Sequence, residues 1–341
     1  MTKLNKLLNK LLRWLIIVFA FSFLIYEFFF KKDLSGALNL FVKEFESASF
    51  IASIASSVIL MIVNWGIEAL KWQLLISKSE KISFLQSFQA VFSGVTVSVF
   101  TPNRVGEFFG RVFILEKTNP LKGIFMTIIG SISQFTTTIF FGSIGLFFFL
   151  PSYIERSTPL NDYLYWIVAF VLIVINLFLF LFYFNVSILT PLTNRLMKSK
   201  WKGIKDYLKV FASYTSLELF KVLTLSMSRY LVFNIQFYII LSAFIPELAL
   251  LDSLVITFVI YFIMTAIPTI TLAELGIRGS VSIAVFRMYF YYSDIISGSW
   301  EIGVLSSTTL MWLINLALPA LIGLIFVHKL KFFQKRNTKL V

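Results

Sequence analysis

"TPNRVGEFFGR", residues 101–111, places a proline, an asparagine, two arginines, a glutamate and two glycines between apolar runs. Its surroundings make it anomalous. Of the 341 residues 58% are hydrophobic and 14% charged, and the mean hydropathy is +0.86. A soluble domain carries about 25% charged residues. The window 164–184 contains no Asp, Glu, Lys or Arg, and roughly 20 such residues cross a bilayer as a helix. The chain therefore reads as an all-α polytopic membrane protein. Its fold turns on how so polar a stretch is held among the spans.

Working outward from it, six full spans are expected at about 11–30, 48–76, 123–150, 162–185, 211–245 and 302–327. Two further apolar regions, about 84–115 and 253–290, are each interrupted near the middle. The fifth span is longer than a crossing needs, so the residues from Lys205 are expected to lie along the membrane surface before turning in. Lys3, Lys6, Lys10 and Arg13 precede the first span, and bulky Tyr26, Phe28, Phe29 and Phe30 end it. A signal peptide would show a small-residue cleavage site there, so an uncleaved span is expected. The whole chain, 1–341, reads as one integral membrane domain without a soluble one.

The net charge of +13 sits at the ends of apolar segments. That is a topology signal rather than a nucleic-acid patch, and no nucleic-acid partner is expected. With the N-terminus inside, nineteen lysines and arginines fall in the inside segments and four, Lys31, Lys32, Lys43 and Arg156, outside. Both termini are expected in the cytoplasm and the chain in the inner (plasma) membrane. The sequence has no cysteine and one histidine, His328, at the end of the last apolar run. Thiolate metal sites and cysteine nucleophiles are excluded, and no metal or cofactor is expected.

Under this topology the first interrupted region leaves and rejoins the cytoplasmic side, and the second does so from the outside. A helix over 105–115 would be only ~17 Å long, short of the ~30 Å hydrocarbon core, so the first region reads as a re-entrant helical hairpin. The limbs of the second, roughly 22 and 28 Å, suit either a hairpin or two complete spans. Its break reads "IPTITLAELGIRGS", residues 267–280, and repeats the plan of 101–111. A proline ends an apolar limb, and Glu-x-x-x-Arg opens the next. The breaks are marked by Pro102 and Gly106, then by Pro268 and Gly276, and the pairs are Glu107 with Arg111 and Glu274 with Arg278.

Two interrupted segments in corresponding positions, entering from opposite faces, are the pattern of an inverted repeat around a midplane transport site. Charges at bilayer depth cost about 2.5–3.5 kcal/mol each on the insertion scale, so Glu and Arg one helical turn apart are expected to pair. Asn103 and Thr271 are the expected N-caps, Thr271 in a capping box with Glu274. With Arg104, Arg111 and Arg278 near two helix starts, a phosphate is the natural ligand. The charges serve equally well as neutralising pairs that hold the hairpins together, and both readings stand.

Other polar residues lie within the spans. Asn64, Glu68 and Lys71 share one helical face, and Glu68 is expected to pair with Lys71. Gly130, Gln134, Thr138 and Gly142 recur every four residues, a helix-packing pattern. Glu218, Lys221 and Arg229 recur at helical spacing, with Arg229 deepest.

The segments "NWGIEALKWQLLI", "TPNRVGEFFGRVFIL" and "IPTITLAELGIRGSVSIAVF", in that order, resemble the lysylphosphatidylglycerol synthase transmembrane-region family, the flippase-like domain proteins. The resemblance covers about residues 10–330. It implies an all-helical domain with re-entrant elements which, in relatives, moves aminoacylated phosphatidylglycerol between leaflets. It places the family motifs on Pro102, Gly106, Glu107 and Arg111 and on Pro268, Glu274, Gly276 and Arg278. Relatives carry a soluble aminoacyl-transferase domain after the membrane part, whereas this sequence stops at Val341; a different anionic or polyprenyl-linked lipid is then expected.

The leading expectation is a flippase or scramblase for an anionic phospholipid or lipid-linked headgroup, with membrane lipids as partners and no catalytic residues. Its substrate-binding residues are expected to be Arg104, Glu107, Arg111, Glu274, Arg278, Glu68 and Arg229. No GxxxxGK[ST] loop is present, so ATP is not the direct energy source. The alternatives are a membrane-embedded transferase using an outside carboxylate such as Asp252, Asp294 or Glu301, and a non-transporting subunit of an envelope-synthesis complex.

Overall fold

Ala48–Ile76 contains no proline and one glycine, Gly66, and forms a single helix, α1. At 1.5 Å per residue it is ~44 Å long, more than the hydrocarbon core requires. The computed structural model describes residues 11, 47–99, 101, 104–157, 162–189, 207–267, 271–290 and 300–327, with backbone alone at 152–157, 162 and 271–273. The expected first span at 11–30 lies outside these residues except for Leu11, as do the basic termini, His328, Pro102, Asn103, Pro268 and Asp294.

After α1 come α2 (Phe84–Ser98), α3 (Gly106–Val112), α4 (Pro120–Ser157) and α5 (Asp162–Phe184). They are followed by α6 (Ser216–Phe244), α7 (Leu250–Ala266), α8 (Thr271–Phe290) and α9 (Trp300–Val327). Five stretches are long and apolar enough to cross a membrane: Ala48–Ile76, Pro120–Pro151, Tyr163–Phe184, Ser216–Phe244 and Trp300–Val327. The protein is thus an all-α, multi-pass membrane protein, and the described residues contain no strand. Within α9 the turn at Leu313–Ala317 is π-helical. Pro319 follows it and offers no N–H to the carbonyl of Asn315, the ordinary setting for a π-bulge.

Contacts between distant residues establish where each hairpin begins and returns. Lys78 pairs with Glu218 at 2.6 Å, joining the end of α1 to the start of α6. Phe50 meets Phe244 edge-on at 5.4 Å, joining the opposite ends of the same two helices. The α2–α3 hairpin leaves the first of these ends and comes back to it. There the Glu80 carboxylate accepts the backbone N–H of Glu116 (3.2 Å), Lys117 (2.9 Å) and Thr118 (2.9 Å) and the Thr118 hydroxyl (3.0 Å). Burial works to raise the pKa of Glu80, but these donors outweigh it and hold the carboxyl below its ordinary value.

The α7–α8 hairpin starts just after Phe244, and its return lies at the same end. Phe290 of α8 packs on Trp300 at 5.1 Å, and a Cβ on Gly303 would stand 3.1 Å from Phe244. The two hairpins therefore begin and return at opposite ends of the bundle.

Glycine lets the limbs of the first hairpin touch. A Cβ on Gly110 would come within 2.5 Å of the Gly94 Cα and 2.7 Å of the Ser93 carbonyl oxygen. At Gly323 of α9 a Cβ would lie 2.2 Å from both the Phe92 carbonyl oxygen and the Thr96 hydroxyl. So α2 is clasped on two sides with no room for a side chain. Gly110→Leu is expected to cost about 1–3 kcal/mol through overpacking, seen as a lower thermal unfolding midpoint in detergent.

Several boundaries differ from the sequence reading. Helix α3 is seven residues, ~10 Å, shorter than the ~17 Å expected, because its last residues turn to meet Glu80. Helix α6 starts at Ser216 in a capping box of Thr215 with Glu218. The separate 3₁₀ turn Lys209–Ser213 precedes it, where the first part of the span 211–245 was expected to turn in. Gly276 is no break. It lies inside α8, exposed, with nothing within 4 Å of a Cβ placed there.

Candidate functional site

The face of α1 that carries Asn64, Glu68 and Lys71 turns inward, leaving them 2%, 3% and 2% exposed. A buried carboxylate needs cations around it, and Glu68 has three. One oxygen accepts from Arg111 Nη1 at 2.8 Å. The other meets Lys71 Nζ at 2.7 Å and Arg229 Nη1 at 3.0 Å. Arg111 also pairs with Glu107, one turn back on α3. Arg229 donates from Nε to Asn64 Oδ1 at 2.8 Å and reaches Gln134 Oε1 at 3.4 Å. Its guanidinium lies 4.9 Å from the centre of the Trp65 ring, within cation–π range. Three helices, α1, α3 and α6, meet at this one carboxylate, and α4 joins them through Gln134 and Arg229.

A second cluster joins the two breaks. Arg104 Nη2 lies 2.8 Å from each oxygen of Glu274, across 170 residues of sequence. Arg278, one turn on, pairs with the same carboxylate, and its guanidinium stands 5.8 Å from the Tyr261 ring centre. Arg104 has φ 56°, and among the described residues it is the one non-glycine with positive φ. Such a conformation costs about 1–3 kcal/mol and persists where its surroundings enforce it. Here the residue bridges the hairpins.

The charges do not balance. Among the described residues, Lys71, Arg111 and Arg229 face Glu68 and Glu107 in the first cluster, and Arg104 and Arg278 face Glu274 in the second, an excess of one positive charge in each. Arg111 Nε and Arg278 Nε are buried and find no acceptor among the described residues. The arrangement is open on one side of each cluster, because the side chains of Arg104, Glu107 and Arg229 keep 36%, 27% and 22% of their surface.

Every residue expected at the site and described here falls in one of these clusters or beside it. Both Glu-x-x-x-Arg pairs form, and Glu68 does pair with Lys71. Its two further partners, Arg111 and Arg229, were not foreseen, nor was the Arg104–Glu274 bridge. Asn64 and Gln134 hold Arg229, a role their helical spacing alone did not reveal. The residues Glu218 and Arg229, which recur at helical spacing, go to different partners, Glu218 to Lys78 and Arg229 to Glu68. The packing reading of Gly142 holds, for a Cβ there would lie 2.5 Å from the Phe262 ring.

The expected capping arrangements differ. Val105, not Asn103, precedes α3, without a side-chain cap, and the Gly106 N–H goes to Thr101 Oγ1 at 2.8 Å. Thr271 already lies within α8, and the Glu274 carboxylate is engaged by two arginines instead of closing a capping box. Any anion at this site is therefore met by guanidinium groups rather than by bare helix ends.

The family described as the lysylphosphatidylglycerol synthase TM region matches residues 11–323. No curated protein and no solved structure matches the chain. The chain belongs to that family, and it is a multi-pass membrane protein of a group associated with lipid handling.

Proposed function

We propose that this protein is a flippase or scramblase that moves an anionic phospholipid or a lipid-linked anionic headgroup between leaflets of the inner (plasma) membrane, with both termini in the cytoplasm. The observation that carries this reading is the meeting of the two hairpin breaks at Glu274, in one of two charge clusters that each hold, among the described residues, one more cation than carboxylates. An unpaired charge in the membrane interior is costly, and a phosphate brought among these arginines supplies the missing negative charge. Arginine's planar fork suits that contact. The buried Nε donors of Arg111 and Arg278 offer it hydrogen bonds that the described residues leave unused.

The headgroup reaches the network through its exposed members, Arg104, Glu107 and Arg229, while the acyl chains stay in lipid. Arg104 releases Glu274 to take the phosphate, which loosens the bridge between the hairpins and lets the headgroup pass. Arg111, Arg278 and Glu68 hold the walls of the path. Passive equilibration or a cation gradient drives it.

Arg104→Gln tests the reading directly. In vesicles reconstituted with the purified protein, movement of fluorescent phosphatidylglycerol between leaflets is expected to fall by an order of magnitude or more. Stability should change little, because a partly exposed ion pair contributes about 1 kcal/mol or less. Movement at the parent rate in this variant would overturn the proposal.

A further inference from the structure

A groove of about 800 Å³ opens between the end of α1 and the start of α6, and its lining includes no member of either charge cluster. That volume lies within the roughly 300–1,000 Å³ of ligand-binding clefts. Its walls are apolar, with Leu70, Leu74, Ile82, Phe220 and Leu225, and Leu70 and Phe220 are 45% and 56% exposed. Its mouth is basic. Lys81 and Lys221 both line it, both are exposed, and neither has a carboxylate partner among the described residues. The third lysine nearby, Lys78, is neutralised by Glu218 at 2.6 Å. An apolar trough lined by two cations that have no carboxylate partner among the described residues matches a molecule with an anionic head and a hydrocarbon tail.

We infer that this groove is a standing binding site for an anionic phospholipid, its phosphate between Lys81 and Lys221 and an acyl chain along Leu70, Leu74 and Leu225. The site is independent of the proposed transport path. Both lysines leave the protein near the helix ends, where the glycerophosphate layer of the bilayer lies and long basic side chains reach headgroups. The Gln73 amide, which also lines the groove, donates to the Ile82 carbonyl at 2.8 Å. A zwitterionic lipid fills the same apolar walls but cancels the attraction of the lysines with its own cation.

The absence of cysteine allows one fluorophore to report on the site. Thr224 lines the groove and is exposed, and Thr224→Cys takes a single bimane. Phe170→Cys on α5, a lipid-facing position 66% exposed, serves as the control. The full-length protein is reconstituted with brominated phosphatidylglycerol or brominated phosphatidylcholine at equal mole fraction, and quenching is compared.

At position 224 phosphatidylglycerol is expected to be enriched on the order of tenfold over phosphatidylcholine, given the attraction of two interfacial lysines. At position 170 the two lipids should quench alike. Lys81→Gln with Lys221→Gln should bring position 224 to parity. Equal quenching at 224 in the parent, or a preference that survives loss of both lysines, would overturn the inference. The preference should persist in Arg104→Gln, whatever that change does to lipid movement. Its loss there would make the groove part of the transport path and defeat the claim of an independent site.

Discussion

Arg111→Ala is expected to lower the unfolding free energy by about 3–5 kcal/mol, the range for removing one partner of a buried ion pair. The side chain is 3% exposed and serves two carboxylates, Glu68 on α1 and Glu107 on its own helix. Alanine takes this partner from both, leaving Glu68 with Lys71 and Arg229. The cost falls on the contact between the first hairpin and α1, across 43 residues of sequence. Unfolding of the purified protein in mixed micelles of increasing SDS content measures it. Arg111→Lys should recover only part of the loss, because an ammonium lacks the fork that reaches two partners. A loss below about 1 kcal/mol, the value of a surface pair, would show that the network is not closed as described. Lost lipid movement in Arg111→Ala would not by itself identify a headgroup contact, since the walls of the path change with it. The more exposed Arg104 is the better probe.

The second large effect is expected at Glu274. This carboxylate is 6% exposed and takes both Arg104 and Arg278. Glu274→Ala leaves two guanidinium groups facing one another with no anion between them. Losing the partner of buried Arg278 alone warrants about 3–5 kcal/mol, and like-charge repulsion adds to it. Arg104→Ala should cost far less, because its side chain keeps 36% exposure and water can take over from Glu274. The asymmetry is the diagnostic. Changing both partners, Glu274→Ala with Arg278→Leu, should recover much of the stability, as replacing a buried pair by apolar groups is often close to neutral. A double variant as unstable as the sum of its parts would contradict the pairing. Thermal unfolding midpoints in detergent, compared within one preparation, decide between these outcomes.

Much of this architecture was legible beforehand. Ala48–Ile76 appeared with the same ends, and the spans near 123–150, 162–185 and 302–327 lie within a few residues of their helices. The two breaks were visible as polar insertions, and both internal Glu-x-x-x-Arg pairs followed from helical spacing. The misplaced features were short-range competitions. Thr271 and Glu274 spell a capping box, but two arginines outbid a backbone N–H for that carboxylate. Gly276 was expected to mark the second break together with Pro268, yet the helix runs through it.

Composition and periodicity are local properties. They determined that this chain is helical, that it spans a membrane, which segments are interrupted, and that the interrupting charges must be paired. Tertiary structure decided which charge pairs with which. Glu68 gathers cations from 3, 43 and 161 positions away, and Arg104 finds Glu274 across 170. Coulomb attraction at about 3 Å depends on where helices are brought together, and that placement rests on contacts such as Gly94 against Gly110 and Phe50 against Phe244. The cation excess in each cluster follows from this assembly, because the sum over a site exists only once its members share a place.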